Sequence, residues 1–516
     1  MTGRGSIALF GVVLGAGAAM LAARSRLPSL ENRTTSAALI DTRSTRLGQA
    51  ISPLIAQHPG LSGIYVLRDA RDAFAARDRL ASVAERTLDV QYYIWRKDLS
   101  GTLLFKALYD AAERGVRVRL LLDDNNTSGL DPLLAALDAH PRIEVRLFNP
   151  FVIRRPRVFG YLTDFSRANR RMHNKSFIAD NQATIVGGRN VGDEYFGATD
   201  GMLFSDVDIL AIGPVVQETS AEFDRYWASA SAYPLDRILP PANDAQIAQV
   251  RTAASKVVGN PAAVAYLTAI RTSPFLRDLV AHKLPLEWAK TRLISDDPAK
   301  GLGRVRREDL LVETMKKVVG MPVRQIDIVS PYFVPGPDAT RIFRDWAQRG
   351  VKMRVLTNSL EATDVSAVHA GYAKKRRTLL HAGVTLYELR KRGVLAPGSG
   401  GGPFGSSAAS LHAKTFAVDD SRVFVGSFNF DPRSRELNTE MGFVIDSPAL
   451  ARRIKEVFDQ RIPLNAYEVR LSDKGDLYWI EKRDGVTERR NAEPGATFWQ
   501  SAWVSLLSRL PIEWLL

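Results

Sequence analysis

Residues 172–190 read MHNKSFIADNQATIVGGRN, and residues 411–429 read LHAKTFAVDDSRVFVGSFN. At identical spacing the two stretches share His173/His412, Lys175/Lys414, Asp180/Asp419, Gly187/Gly426 and Asn190/Asn429. An internal repeat governs the architecture before any single element does. Within each copy, apolar residues flank an acidic turn. The first copy therefore reads as a strand at 176–179, a turn at Asp180-Asn181 and a strand at 183–186, with the matching turn at Asp419-Asp420. Residues two apart in a strand face the same side, so each copy presents an imidazole and an ammonium together.

The repeat extends upstream. LDVQYYIW (88–95) and IDIVSPYF (326–333) read as buried strands, each followed by a helix ending at Arg114-Gly115 or Arg349-Gly350. Then come VRVRLLLDD (116–124) or VKMRVLTNS (351–359), and IEVRLFN (143–149) or VTLYELR (384–390). Strands that alternate with helices predict an α/β fold of two repeated lobes, each a mixed, partly parallel sheet flanked by helices. The expected units are lobe 1 at 61–232, an Ala-rich helical connector at 233–308, lobe 2 at 309–465 and an extension at 466–516. Ahead of them lie a signal or anchor at 1–30 and a linker at 31–60. A Gly-rich stretch at 393–410 reads as a loop, and the matching stretch at 154–171 carries six Arg.

The chain has 516 residues, 45% of them apolar, and a net charge of +14. This suits an anionic partner: nucleic acid, anionic lipid or a phosphorylated small molecule. The absence of Cys excludes disulfides, a Cys-based zinc site and a lipoprotein Cys. Arg4 precedes an uncharged stretch at 7–23, with Arg24 and Arg26 behind it. That pattern is a secretory signal or a single membrane anchor, and both readings stay open. The C-terminal FWQSAWVSLLSRLPIEWLL is amphipathic. Trp499, Trp503, Leu506, Leu507 and Leu510 share one helical face, which suits either a membrane interface or burial on lobe 2.

Two copies of the motif facing one pocket would bring together two His, two Lys and two Asn. That set suits a phosphodiester. One imidazole attacks phosphorus, the other protonates the departing alkoxide, and the Lys and Asn groups hold the nonbridging oxygens. The candidate catalytic residues are His173, Lys175, Asp180, His412, Lys414 and Asp419. Asp180 and Asp419 sit at the turns, where holding the local fold suits them better than orienting a ring. Asn190, Asn429 and Ser427 are the candidate phosphate-binding residues. Gly188 stands where the second copy has Ser427, so the halves are chemically unequal. Aligning Pro214 with Pro448 sets Asp206 opposite Glu440, and these two carboxylates are the candidates for orienting the histidines. No grouping has metal-ligand spacing, and no metal or cofactor is expected. His369 is either a substrate contact or a helix-surface residue. The arginines of 154–171 either bind headgroups or form a solvated loop. Asp296, Asp297 and Lys300 read as a helix start.

The doubled His-x-Lys-x4-Asp motif, with Gly-Gly or Gly-Ser and then Asn, resembles the phospholipase D superfamily. From about Leu61 onward the chain is most similar to bacterial cardiolipin synthases of the C type, through HPGLSGIYVLRD, VQYYIW, GGRNVGDEYF, SPYFVPG, GSFNFDPRS, LNTE and LPIEWLL. The resemblance implies a pseudo-twofold bilobed unit without metal. It implies phosphatidyl transfer through a phosphohistidine, with His173 as nucleophile and His412 as acid. Phosphatidylglycerol would be the acceptor, and phosphatidylglycerol or phosphatidylethanolamine the donor. It places the protein at the bacterial inner membrane, on a side left open, with an accessory protein neither required nor excluded and no nucleic acid as partner. Two other readings stand beside it: phospholipase D-type hydrolysis of a phospholipid or nucleic acid, and non-catalytic binding of anionic lipid.

Overall fold

The computed structural model describes residues 27–199, 203–281, 283–391, 410–483 and 485–495. The expected N-terminal apolar segment, nearly all of the Gly-rich stretch and the amphipathic tail lie outside these residues. Among the described residues no helix is long and apolar enough to cross a membrane.

The first half contains β1 (Ser62–Leu67), β2 (Thr87–Ile94), β3 (Arg117–Asn126), β4 (Ile143–Phe148), β5 (Ser176–Ala179), β6 (Ala183–Gly187), β7 (Phe204–Ser205), β8 (Asp208–Ile212) and β9 (Ala232–Pro234). The second contains β10 (Glu287–Ser295), β11 (Gln325–Val329), β12 (Lys352–Asn358), β13 (Val384–Leu389), β14 (Ser410–Leu411), β15 (Thr415–Val418), β16 (Arg422–Gly426), β17 (Met441–Asp446) and β18 (Ala466–Leu471). β19 (Leu477–Arg483) and β20 (Val486–Arg490) extend it. Strand pairing runs β9-β4-β3-β2-β5-β6-β8-β1 in one half and β10-β17-β16-β15-β11-β12-β13-β18 in the other. In each, three central strands are parallel and the rest antiparallel, as helical crossovers followed by hairpins require.

The interval 233–308 is not helical throughout. After the helices Asp244–Val258, Pro261–Arg271 and Pro274–Val280 comes β10, which pairs first with β1 and then with β17. β10 holds in the second sheet the place β1 holds in the first. Its signal is the alternation of buried Ala289 and Thr291 with exposed Lys290 and Arg292, which an Ala-rich neighbourhood hides from composition.

Helices Ala70–Val83, Leu99–Glu113 and Asp131–Asp138 cover the outer face of the first sheet, packing Phe74, Leu104 and Leu134 against Val90, Leu120 and Val145. Helices Leu311–Val319, Pro337–Gln348 and Ser366–His381 do the same for the second. A third apolar layer joins the halves, with Ile64, Val186 and Ile209 from one side and Val423, Val425 and Phe443 from the other. Each such fully buried side chain contributes about 1.5–3 kcal/mol, so the halves separate only at high cost.

Candidate active site

The hairpins that carry the repeated motif are built alike. Asp180 and Asn181, like Asp419 and Asp420, adopt positive φ, and each turn closes through Gln182 N–H to Ala179 O or Ser421 N–H to Val418 O. Two successive left-handed residues match the twist of a tight hairpin, and Asp and Asn tolerate that conformation. The Asp180 carboxylate accepts the backbone N–H groups of Glu85, Arg86 and Thr87; Asp419 accepts those of Val323, Arg324 and Gln325. Both carboxylates are therefore spent on tying the hairpin to the preceding strand. Neither lines the cavity, so the candidate catalytic set loses these two members.

The segment ahead of each hairpin crosses to the other half. β14 pairs parallel with β7, and Met172 bridges to Thr439 in the same sense. His412 N–H donates to Ser205 O at 2.8 Å, and His173 N–H to Thr439 O at 2.9 Å. Each histidine thus lies beside the residue that follows its bridge. His173 Nδ1 is 2.8 Å from Glu440 Oε2, and His412 Nδ1 is 2.5 Å from Asp206 Oδ2. The two carboxylates that the alignment singled out do meet the rings, but crosswise: each half supplies the carboxylate for the other half's histidine.

Both rings face one cavity of about 570 Å³. His173 and His412, Asn190 and Asn429, Tyr93 and Tyr332 contribute as pairs from the two halves. Lys175 Nζ and Lys414 Nζ lie behind the rings, donating to the His173 and His412 carbonyls at 2.5 Å. Lys414 Nζ also lies 3.0 Å from His412 Nδ1. The Asn190 amide accepts from Ile94 N–H and donates to Tyr195 OH, while Asn429 Oδ1 is buried without a hydrogen bond. Tyr93 meets the His173 ring edge-on with centroids 4.9 Å apart, and Tyr195 meets His412 likewise at 5.2 Å.

Ser427 is fully buried and does not line the cavity. Its hydroxyl donates to Glu440 Oε2 at 2.5 Å, and Ser434 donates to Oε1 at 2.7 Å. The expected phosphate contact is therefore a carboxylate contact. The difference at Gly188 has the same origin: a Cβ there would lie 2.3 Å from Asp206 Oδ1, so only glycine leaves room for that carboxylate.

The two His–carboxylate pairs differ in charge. Burial pushes the Glu440 carboxyl up to about 7, against the pull of Lys175, Ser427 and Ser434. Burial also raises Asp206, but His412, Lys414 and Arg189 outweigh it and hold the carboxyl below its ordinary range. Burial and then the Lys175 and Lys414 charges press His173 well below the usual imidazole value. His412 is lowered by burial and Lys414, with Asp206 pulling it back. Both lysines are lowered too, by burial first. Burial leads in all four shifts, so an anion placed between these groups would favour the charged form of each.

His369 does not reach the cavity. It is buried, 2.7 Å from Glu493 Oε1, with Arg376 alongside. Among the arginines of 154–171, Arg154 and Arg157 pair with Asp124 and Asp131, Arg167 with Asp164, and Arg171 with Asp123. They brace a loop rather than form an open cationic patch. Asp296 pairs with Lys300 at 2.8 Å and accepts the Glu440 N–H at 3.0 Å, so that pair supports the carboxylate from below. Sequence reasoning passed over Tyr93, Tyr195, Phe204, Tyr332, Asp364 and Asp431 on the cavity wall. Tyr93 was within reach: it alternates with buried Tyr92 and so faces the other side of its strand.

Residues 78–227 and 316–462 match the family described as "Cardiolipin synthase, PLD-like domain". The chain belongs to this family of phospholipase D-like cardiolipin synthases. Among its relatives, cardiolipin synthase C of Escherichia coli (strain K12) is 52% identical over 473 residues, which cover 91% of this chain and 100% of that protein. An uncharacterized protein of Helicobacter pylori is 31% identical over 468 residues, covering 89% and 90%. The crystal structure of a phosphatidylserine synthase of Haemophilus influenzae Rd KW20 superposes with a TM-score of 0.53 at 12% identity, covering 91% of this chain and 100% of that one. At that identity it speaks for the shared fold alone.

Proposed function

We propose that this cardiolipin synthase family member is a phosphatidyltransferase. It makes cardiolipin from phosphatidylglycerol and a second phospholipid, phosphatidylglycerol or phosphatidylethanolamine, through a phosphohistidine. The observation that carries the reading is the crossed arrangement of two His–carboxylate pairs on one cavity, backed by two buried lysines. Family membership directs it to lipids: the relative at 52% identity is named cardiolipin synthase C.

With its Nδ1–H kept on the ring and donated to the Glu440 carboxylate, neutral His173 keeps the Nε2 lone pair for attack on phosphorus. The P–N bond forms as the P–O bond to the departing alcohol breaks. His412, whose partner Asp206 keeps its charge, is the better holder of a second proton and delivers it from Nε2 to the leaving oxygen. His412 then accepts the hydroxyl proton of an incoming phosphatidylglycerol. That oxygen attacks phosphorus, and the P–N bond breaks. The Lys175 and Lys414 ammoniums and the Asn190 and Asn429 amides stabilise the nonbridging oxygens as charge builds. The negative charge of a bound phosphodiester favours the protonated form of both imidazoles and both lysines. Work at the inner membrane, anchored by the N-terminal apolar segment, belongs to the same proposal.

Purified protein in mixed micelles of phosphatidylglycerol and phosphatidylethanolamine tests this reading. Cardiolipin should accumulate. Phosphatidic acid as the sole product would replace transfer with hydrolysis, and lipid binding without turnover would leave a non-catalytic protein.

A further inference from the structure

The loop between β4 and β5 turns apolar residues outward. Val158 is 57% exposed, Phe159 41%, Leu162 75% and Phe165 42%. They follow one another at helical spacing across the short helices Val158–Thr163 and Phe165–Ala168. A helix on a water-exposed surface normally turns its apolar stripe inward. Here the inward side is Gly160, where a Cβ would lie 2.5 Å from the Phe151 ring, and Tyr161, whose ring packs tilted against Phe151 and whose hydroxyl donates to Asn125. The outward stripe is thus fixed by packing beneath it. The arginines around it are largely paired with Asp124, Asp131 and Asp164, so the apolar groups are what this face offers.

The stripe adjoins the cavity. Asn169, at the end of the second short helix, accepts both Nη groups of Arg433, which lines the cavity wall. Four residues beyond Asn169 the chain reaches His173. On the second half, Val365 is 36% exposed and lines the same cavity.

We propose that Val158, Phe159 and Leu162 form a rim that enters a phospholipid bilayer and sets the cavity mouth against the lipid headgroups. This rests on the proposed use of phospholipid substrates. A lipid phosphate lies at the bilayer surface, so a cavity that takes it must be held there, and apolar side chains beside the mouth supply that hold. The chain's net charge of +14 complements an anionic surface.

The chain contains no Cys, so Leu162→Cys gives the full-length protein a single site for an environment-sensitive dye. Ser255→Cys on the helix Asp244–Val258 is the control. Vesicles of phosphatidylglycerol and phosphatidylethanolamine with nitroxide on the acyl chains should quench the dye at position 162 and leave it bright at 255. Phe159→Asp with Leu162→Asp should lower turnover on those vesicles about a hundredfold, roughly tenfold or more per side chain kept from lipid. Turnover of monomeric short-chain phosphatidylglycerol should stay within about twofold, because neither residue touches the site chemistry. Dye at 162 that remains in water with vesicles present would overturn the proposal. So would dye already shielded before vesicles are added, which would mean that another part of this chain or a second copy covers the stripe. Equal losses on both substrates would also overturn it. Quenching at 162 in a protein that makes no cardiolipin would support the rim and count against the proposed reaction instead.

Discussion

The proton on each cavity imidazole is set by one carboxylate, and the two carboxylates carry different charge. Asp206 stays ionised beside His412 and Lys414, whereas Glu440 is pushed up to about 7 by burial. Removing the Asp206 charge takes away what holds a proton on His412. Asp206→Asn should therefore move the alkaline limb of the kcat/KM profile to lower pH, by about one unit for a charge at hydrogen-bond distance. A limb that stays in place or moves upward would show that another group is the acid. Glu440→Gln places an amide against His173 Nδ1. An amide N–H can donate to that nitrogen and drive the ring proton onto Nε2, where it blocks attack. A loss of about a thousandfold or more in kcat is expected, as for other wrong-tautomer histidines. Near-normal kcat in this variant would remove Glu440 from the mechanism. Chelation should leave activity intact, since Lys175 and Lys414 already supply positive charge behind both rings; loss restored by one divalent metal would contradict that.

At the scale of elements, the repeated hairpin is held by its acidic turn. Asp180 is fully buried and accepts three backbone N–H groups that Asp180→Ala would leave unsatisfied. A loss of about 2–4 kcal/mol in denaturant melts is expected. Asp419→Ala, in a partly exposed turn where water can replace the carboxylate, should cost about 1 kcal/mol. In both variants the folded fraction should keep its specific activity; folded but inactive protein would return these residues to the chemistry. The strands and turns of this hairpin were legible because alternation and turn chemistry are local, and so was the pairing of His with Lys. The crossing of the segment before each hairpin was not. It depends on Met172 meeting Thr439 and on β14 meeting β7, partners that no local pattern connects. Ser427 was misplaced for the same reason: its hydroxyl answers to Glu440, thirteen residues on and just ahead of β17. β10 hid in an Ala-rich interval because its alternating core is only a few residues long.

The whole molecule is one cooperative unit by construction. β10 pairs with strands of both sheets, and an apolar layer from both halves lies between them. The first half holds Trp95 and Trp227, and the second Trp346 and Trp479. Fluorescence from variants that keep only one of these pairs should report the same unfolding midpoint as circular dichroism. Two separated midpoints would mean that the halves fold apart and that the shared layer adds little. The same union makes the site: neither half has both a histidine and the carboxylate that orients it. The halves are nevertheless unequal, and the central claim is that His173 receives the phosphoryl group while His412 handles the proton. The direct measurement uses an activated phosphodiester whose leaving group needs no proton, with the phosphorylated residue located by mass spectrometry. His412→Ala should accumulate phosphate on His173, and His173→Ala should accumulate none. Phosphate found on His412 alone would contradict the account.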